Sequence, residues 1–243
     1  MDDKINMKIL TYLNTNKNEV ESKKYNIWVG ISLGNRFFTR ENIKKYLEWA
    51  LEYTKNDVLV VIGDRLQAIN FEVLDKHTKI RALKNALKKG DEKEKEIREI
   101  LSGFPREKRD LVKVVRFKHV TASKYHDYRL EVLHNEFKTN QKFHEYIIKI
   151  LKENKKVLSK DLSNDQLDKL AEYILQEIPV YLNGAKYGGT PEHGGKTYLL
   201  QIYPGIGLID SLLMALQEGV IFPELTKSLK ITDKIAIIEG YPE

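Results

Sequence analysis

The chain has 243 residues, 42% of them hydrophobic and 31% charged, enough apolar material to bury a sizeable core. It has no cysteine, which excludes a disulfide framework and thiolate metal sites, and no apolar run near the roughly 18 residues that a membrane helix requires. Its 41 Lys and Arg against 35 Asp and Glu leave a formal charge of +6, an excess that matters only where it clusters. The opening Met1-Asp2-Asp3-Lys4 lacks the apolar core of a secretory signal, so a cytosolic protein is expected. Strand-like and helix-like segments alternate without internal repeats, predicting one α/β domain over residues 1–243.

In chain order, residues 1–24 are polar and prone to fraying, with an apolar patch from Ile9 to Leu13 that suits an edge strand. The run from Tyr25 to Ile31 is β-branched and apolar, breaks at Gly30, presents Ser32 and meets Gly34 and Asn35. At the carboxyl end of a strand in an open α/β sheet, where ligands bind, Ser32 is a candidate nucleophile, although a Gly-x-Ser turn is also an ordinary turn. Thr39 can cap a helix through about Lys55, and Val58 to Ile62 reads as a strand buried on both faces, ending in Gly63-Asp64. Asp64 then shares the ligand edge with Ser32 or caps the next helix. From Leu66 a helix is expected to run to Lys89, with Gly90-Asp91 ending it and a second charged helix following through Leu101.

The first of those helices carries the charge cluster. Lys79, Arg81, Lys84, Lys88 and Lys89 fall in a stretch without an acid, and Arg81, Lys84 and Lys88 share one helical face. Such a stripe suits a phosphate backbone, or is simply a solvated face. Leu111 to Phe117 is a third strand candidate, followed by helix from about Ala122 to Asn154. Its His126, His134 and His144 lack the i, i+4 spacing of a metal pair, so no metal is expected. Asp165 to Ile178 reads as a helix that Pro179 ends, with Tyr173 and Glu177 on one face. Lys196 to Tyr203 reads as a strand closing in Tyr203-Pro204, then a helix over 208–217 and a short strand over 234–239.

Gly30-Ile31-Ser32 with Asn35, Tyr173-x-x-x-Glu177-x-Pro179 and Tyr203-Pro204, in that order, resemble the cyclodipeptide synthases over about Tyr25 to Leu216. The resemblance implies a Rossmann-like three-layer α/β sandwich, a mostly parallel sheet flanked by helices, similar to the catalytic domain of class I aminoacyl-tRNA synthetases. It implies formation of a cyclic dipeptide from two aminoacyl-tRNAs. The chain lacks the His-x-Gly-His and Lys-Met-Ser-Lys-Ser elements of those synthetases, so no ATP-dependent activation, and no cofactor, is expected. One group of the family carries the asparagine together with Tyr-His and the other Tyr-Pro without it. This chain combines Asn35 with Tyr203-Pro204, which leaves its subgroup open.

The implied mechanism is ping-pong. Ser32 takes the first aminoacyl group as an ester, Tyr173 and Glu177 bind its ammonium, Glu177 accepts a proton and Tyr203 orients or passes one. The amine of the second aminoacyl-tRNA attacks the seryl ester, and the dipeptidyl group then cyclises onto its remaining ester. Trp28, Gly30, Val180, Tyr181 and Gln201 flank the catalytic positions and are expected, with Asn35, to bind the first amino acid, apolar side chains being anticipated. The basic stripe is expected to hold the tRNA, and the protein to be a monomer. Two other readings compete. Gly30-Ile31-Ser32-Leu33-Gly34 is also the Gly-x-Ser-x-Gly pattern of an α/β-hydrolase, with His193 as a later histidine, although too little chain precedes it for that fold. A noncatalytic RNA-binding module would use the stripe and leave the Ser, Tyr and Glu residues unexplained.

Overall fold

The computed structural model describes residues 7–188 and 195–243. Its strands are β1 Met7–Leu13, β2 Ile27–Ile31, β3 Val58–Ile62, β4 Val112–Arg116, β5 Ala185–Tyr187, β6 Lys196–Tyr198, β7 Leu200–Tyr203 and β8 Ala236–Pro242. The helices begin with α1 Lys17–Glu21, α2 Arg40–Tyr53, α3 Asp64–Val73, α4 Lys79–Ser102, α5 Arg106–Arg109 and α6 Phe117–Thr121. They continue with α7 Lys124–Thr139, α8 Gln141–Glu153, α9 Lys155–Leu158, α10 Asn164–Leu182, α11 Leu208–Glu218 and α12 Pro223–Leu229. Among the described residues, no helix is long and apolar enough to cross a membrane.

The main sheet has six strands in the order β1-β8-β7-β2-β3-β4. All neighbours are parallel except β1 and β8, so the apolar runs of β2 and β3 are buried on both faces, as parallel strands must be. The chain leaves β2 toward β3 and β4, then returns to the other side of β2 through β7 and β8. The order therefore reverses between β2 and β7, the crevice where open α/β sheets bind ligands. Ile27, Val29 and Ile31 pack toward Ile43, Leu47 and Ala50 of α2 and the C-terminal half of α4. Trp28 on the alternate face packs with Val180 of α10, and α7, α8, α10, α11 and α12 form a helical core of their own. This is the Rossmann-like sandwich that the sequence predicts.

Four expected boundaries move, each for a local reason. Helix α4 runs straight through Gly90-Asp91, and the break comes earlier, over residues 74–78, where Lys76 has φ 55° and Thr78 caps α4. Gly90 is there to admit Arg116: a Cβ on it would lie 2.0 Å from Nη2. Arg116 in turn donates to Asp64 Oδ2 (2.7 and 3.0 Å), Asp91 Oδ1 (2.5 Å) and the Leu87 carbonyl (2.9 Å). Asp64 is thus an ion-pair partner rather than a cap, the N-cap of α3 being Gly63.

Pro179 does not end α10, which continues through Leu182. A proline ring already has the helical φ, and the loss of one N–H bond in the last turns is offset by burial of Ile178 and Leu182 at 0% exposure. The helix expected over 122–154 breaks at Asn140, whose Oδ1 accepts from Lys142 N (3.0 Å) and Phe143 N (3.2 Å) to start α8. The strand expected over 196–203 divides at Leu199. Its first half pairs with β5 in a separate two-stranded sheet and its second half enters the main sheet beside β2.

Candidate active site

Strand β2 delivers Ser32 to the crevice, and a tight turn holds it there. Asn35 N donates to the Ser32 carbonyl (3.2 Å), and Asn35 Oδ1 accepts from Phe37 N (3.0 Å). Gly34 leaves room at this turn for Gln67 of α3, whose Oε1 would lie 2.9 Å from a Cβ. Helix α2 begins only at Arg40, after a cap by Thr39.

Strand β7 brings Tyr203 to the other side of the crevice, and α10 lays Tyr173, Glu177 and Tyr181 across it on one face, at i, i+4 and i+8. The extra turn beyond Pro179 is what adds Tyr181 to that face. The phenols of Tyr173 and Tyr203 both lie near enough to the Ser32 hydroxyl to be influenced by it, and Tyr203 is likewise influenced by the Asn35 side chain. Ser32, Asn35, Tyr173, Glu177, Tyr181 and Tyr203 line one cavity of about 640 Å³.

Burial sets the protonation in this cavity. Desolvation first, then the charge of Asp210, push Glu177 up from 4.5 to about 8, so it holds its proton at neutral pH. Desolvation likewise raises Tyr203 to about 12 and Tyr173 and Tyr181 well above the ordinary phenol value. An incoming ammonium would favour the ionised carboxylate and pull its pKa back down.

Of the other expected amino-acid-binding residues, Tyr181 lines the cavity and the rest lie behind it. Trp28 meets the Tyr181 ring edge-on at 5.1 Å, and Gln201 Nε2 donates to the Tyr181 hydroxyl (3.2 Å). Trp28 and Gln201 are register partners across β2 and β7, Val180 joins the Trp28 cluster, and a Cβ at Gly30 would meet Gln201 Nε2 at 3.0 Å. The basic residues do not line the cavity. Lys79, Arg81, Lys84, Lys88 and Lys89 are exposed along the N-terminal half of α4, which begins just past the cavity residues Leu74 and Asp75. Lys88 lies 3.9 Å from Glu92, and Lys89 sits 4.8 Å from the Phe71 ring centroid.

Sequence reasoning missed the rest of the wall. Leu74, Ile150, Leu151, Val157, Leu170 and Ile174 make an apolar side, and no periodicity marks those six as a surface because they come from four separate segments. It also missed Asp210, whose only signal was its place in the first turn of α11.

Two features weigh against the hydrolase arrangement. Ser32 is not among the residues with positive φ, and the chain does not turn directly from it into a helix as a nucleophile elbow does. Among the described histidines none lines the cavity, and His193 lies outside the described residues.

A family model described as cyclodipeptide synthase matches residues 10–192. A search of curated proteins gives no match. Among solved structures the chain is similar to a cyclodipeptide synthase from Staphylococcus haemolyticus, with 16% identity, TM-score 0.74, and 98% of this chain and 100% of that one covered. A Mycobacterium tuberculosis protein, described as showing that such enzymes are related to type I tRNA synthetases, aligns at 16% identity and TM-score 0.68 over 98% and 93% of the two chains. The cyclodipeptide synthase of Candidatus Glomeribacter gigasporarum, solved bound to Phe-tRNAPhe, aligns at 14% identity and TM-score 0.59 over 89% and 87%. These structures share the fold, and the family model spans most of the chain from β1 past α10: the chain belongs to the cyclodipeptide synthase family.

Proposed function

We propose that the chain joins two aminoacyl-tRNAs into a cyclic dipeptide through an aminoacyl ester on Ser32. The observation that carries this reading is the convergence of Ser32, Tyr173, Glu177 and Tyr203 on one cavity at the sheet's switch point. Ser32 attacks the ester carbonyl of the first substrate while a phenol at its hydroxyl relays the proton to the departing tRNA oxygen. One ester replaces another, so ATP is not needed. Glu177 and Tyr173, four residues apart on α10, hold the α-ammonium, the carboxylate by charge and the phenol by direction.

The second substrate's amine then attacks the seryl carbonyl. A C–N bond forms, the bond to Ser32 breaks, and the dipeptide remains on the second tRNA. Ionised Glu177 takes the proton of the first ammonium, and the freed amine closes the ring with release of that tRNA. The exposed basic stripe on α4, beginning beside the cavity mouth, supports tRNA phosphates outside the site, in keeping with the tRNA carried by the similar Glomeribacter protein. The test is to incubate purified chain with a mixture of charged tRNAs, free of ATP, and search for cyclic dipeptide masses. Their appearance, and their loss in Ser32→Ala, is the expected result. Linear products or free amino acids alone would contradict it.

A further inference from the structure

The reaction proposed above deprotonates two ammonium groups in turn, and a second carboxylate at the site would serve the second of them. Two ammonium groups enter, both become amide nitrogens, and the second must be deprotonated while the first is still bound at Glu177. A second carboxyl faces the same cavity from a different element. Asp210, 8% exposed, stands in the first turn of α11 on the cavity that Glu177 also lines, near enough for its charge to raise the Glu177 pKa, and its Oδ2 accepts from Gly207 N (2.8 Å). Tyr203, which lines the cavity beside Ser32, feels the charges of both acids.

We propose that Asp210 receives the ammonium of the second aminoacyl-tRNA and takes up its proton as that amine attacks the Ser32 ester. The inference rests on the seryl-ester reading. One ammonium proton passes to the Asp210 carboxylate, and the amine nitrogen bonds to the seryl carbonyl carbon. The bond from that carbon to Oγ breaks, and a further nitrogen proton returns to Oγ through the Tyr203 phenol. The products are an amide, the free serine and a protonated Asp210.

The surroundings suit this division of labour. Burial raises Asp210 from 3.8 to about 6, while the amide N–H groups of Gly207 and Asp210 hold it down, so it stays ionised at neutral pH and can accept a proton there. The groups facing it are Glu177 of α10, Tyr181, Tyr203, Glu239 of β8 and, at the same helix end, Glu153 of α8, which accepts from Leu208 N at 3.1 Å. Arg36 and Lys160 stand elsewhere on the cavity wall.

Asp210 could instead act only as a helix cap, and Asp210→Asn separates the two roles because its amide oxygen can still accept from Gly207 N. The experiment loads the enzyme with labelled aminoacyl-tRNA, removes the tRNA, adds unlabelled aminoacyl-tRNA and follows loss of label from Ser32. The variant is expected to load like wild type and to discharge roughly 100-fold more slowly. Wild-type discharge is expected to quicken as the pH climbs through about 6, and the variant should lose that rise. Asp210→Glu should recover part of the rate. Discharge at the wild-type rate, or loading impaired as much as discharge, would overturn the assignment. Equal labelling of Ser32→Ala in the same assay would reject the seryl ester itself, a separate failure.

Discussion

At the scale of single residues the site is built from groups that the fold holds away from water. Glu177 is the clearest case, because its elevated pKa is a stability cost as well as a functional property. Its folded-state value of about 8 lies above the 4.5 of an exposed glutamate, so the native state binds a proton more tightly than the unfolded chain does. Stability therefore falls as pH rises from about 4.5 to about 8 and levels off beyond. Glu177→Gln removes that cost; one pKa unit is worth about 1.4 kcal/mol, and because the side chain is only partly buried the full shift is discounted, so the variant should be more stable by on the order of 2 kcal/mol near pH 9. Near pH 4 the difference should vanish. Thermal melts at the two pH values check this, and equal melting at both would show that Glu177 is not buried uncharged. The same variant should lose product formation by roughly 100-fold or more, since it can neither neutralise an ammonium nor accept a proton. Tyr173→Phe, which loses only one hydrogen bond, should lose less.

Among the elements, α4 joins the exposed basic stripe to the sheet. Arg116 at the end of β4 ties Asp64 of α3 to Asp91 in mid-α4, and Gly90 makes room for it. In an unconstrained helix Gly→Ala stabilises by about 1 kcal/mol. Here the new methyl would displace a buried guanidinium from its carboxylate, so Gly90→Ala should destabilise the protein by roughly 2 kcal/mol. A raised melting temperature would refute this account of the glycine. On the outer face of the same helix, replacing Arg81, Lys84 and Lys88 by alanine should weaken tRNA binding. The plot of log affinity against log salt should flatten by roughly 0.7 to 0.9 for each phosphate no longer neutralised. The ratio of cyclic products should hold, because phosphate contacts do not report the amino acid carried. An unchanged salt slope would make the stripe a solvated face.

These elements also show what a sequence reveals and what it hides. The Ser32 turn, the Tyr173 and Glu177 pair and Tyr203 were legible because each motif lies on one continuous segment. Gly90 read as a helix stop because its partner is 26 positions away at Arg116, and the true break over 74–78 contains neither glycine nor proline. Asp210 was invisible for a related reason: an acid in a helix's first turn has an ordinary capping role, and only the fold brings it to Glu177.

For the whole molecule, the order β1-β8-β7-β2-β3-β4 places the ends of β2 and β7 side by side, so Ser32 and Tyr203 from distant sequence meet at the point where the sheet opens. Helices α8, α9, α10 and the start of α11 supply the rest of the cavity wall. The central claim is that this crevice carries an amino acid on Ser32 between two tRNAs. Intact-protein and peptide mass spectrometry, after brief exposure of the purified chain to one aminoacyl-tRNA, tests it most directly. The account predicts a single added aminoacyl mass, borne by the peptide containing Ser32, labile to hydroxylamine and absent from Ser32→Ala. Cyclic dipeptide formation that persists in Ser32→Ala, or an adduct on another residue, would contradict it.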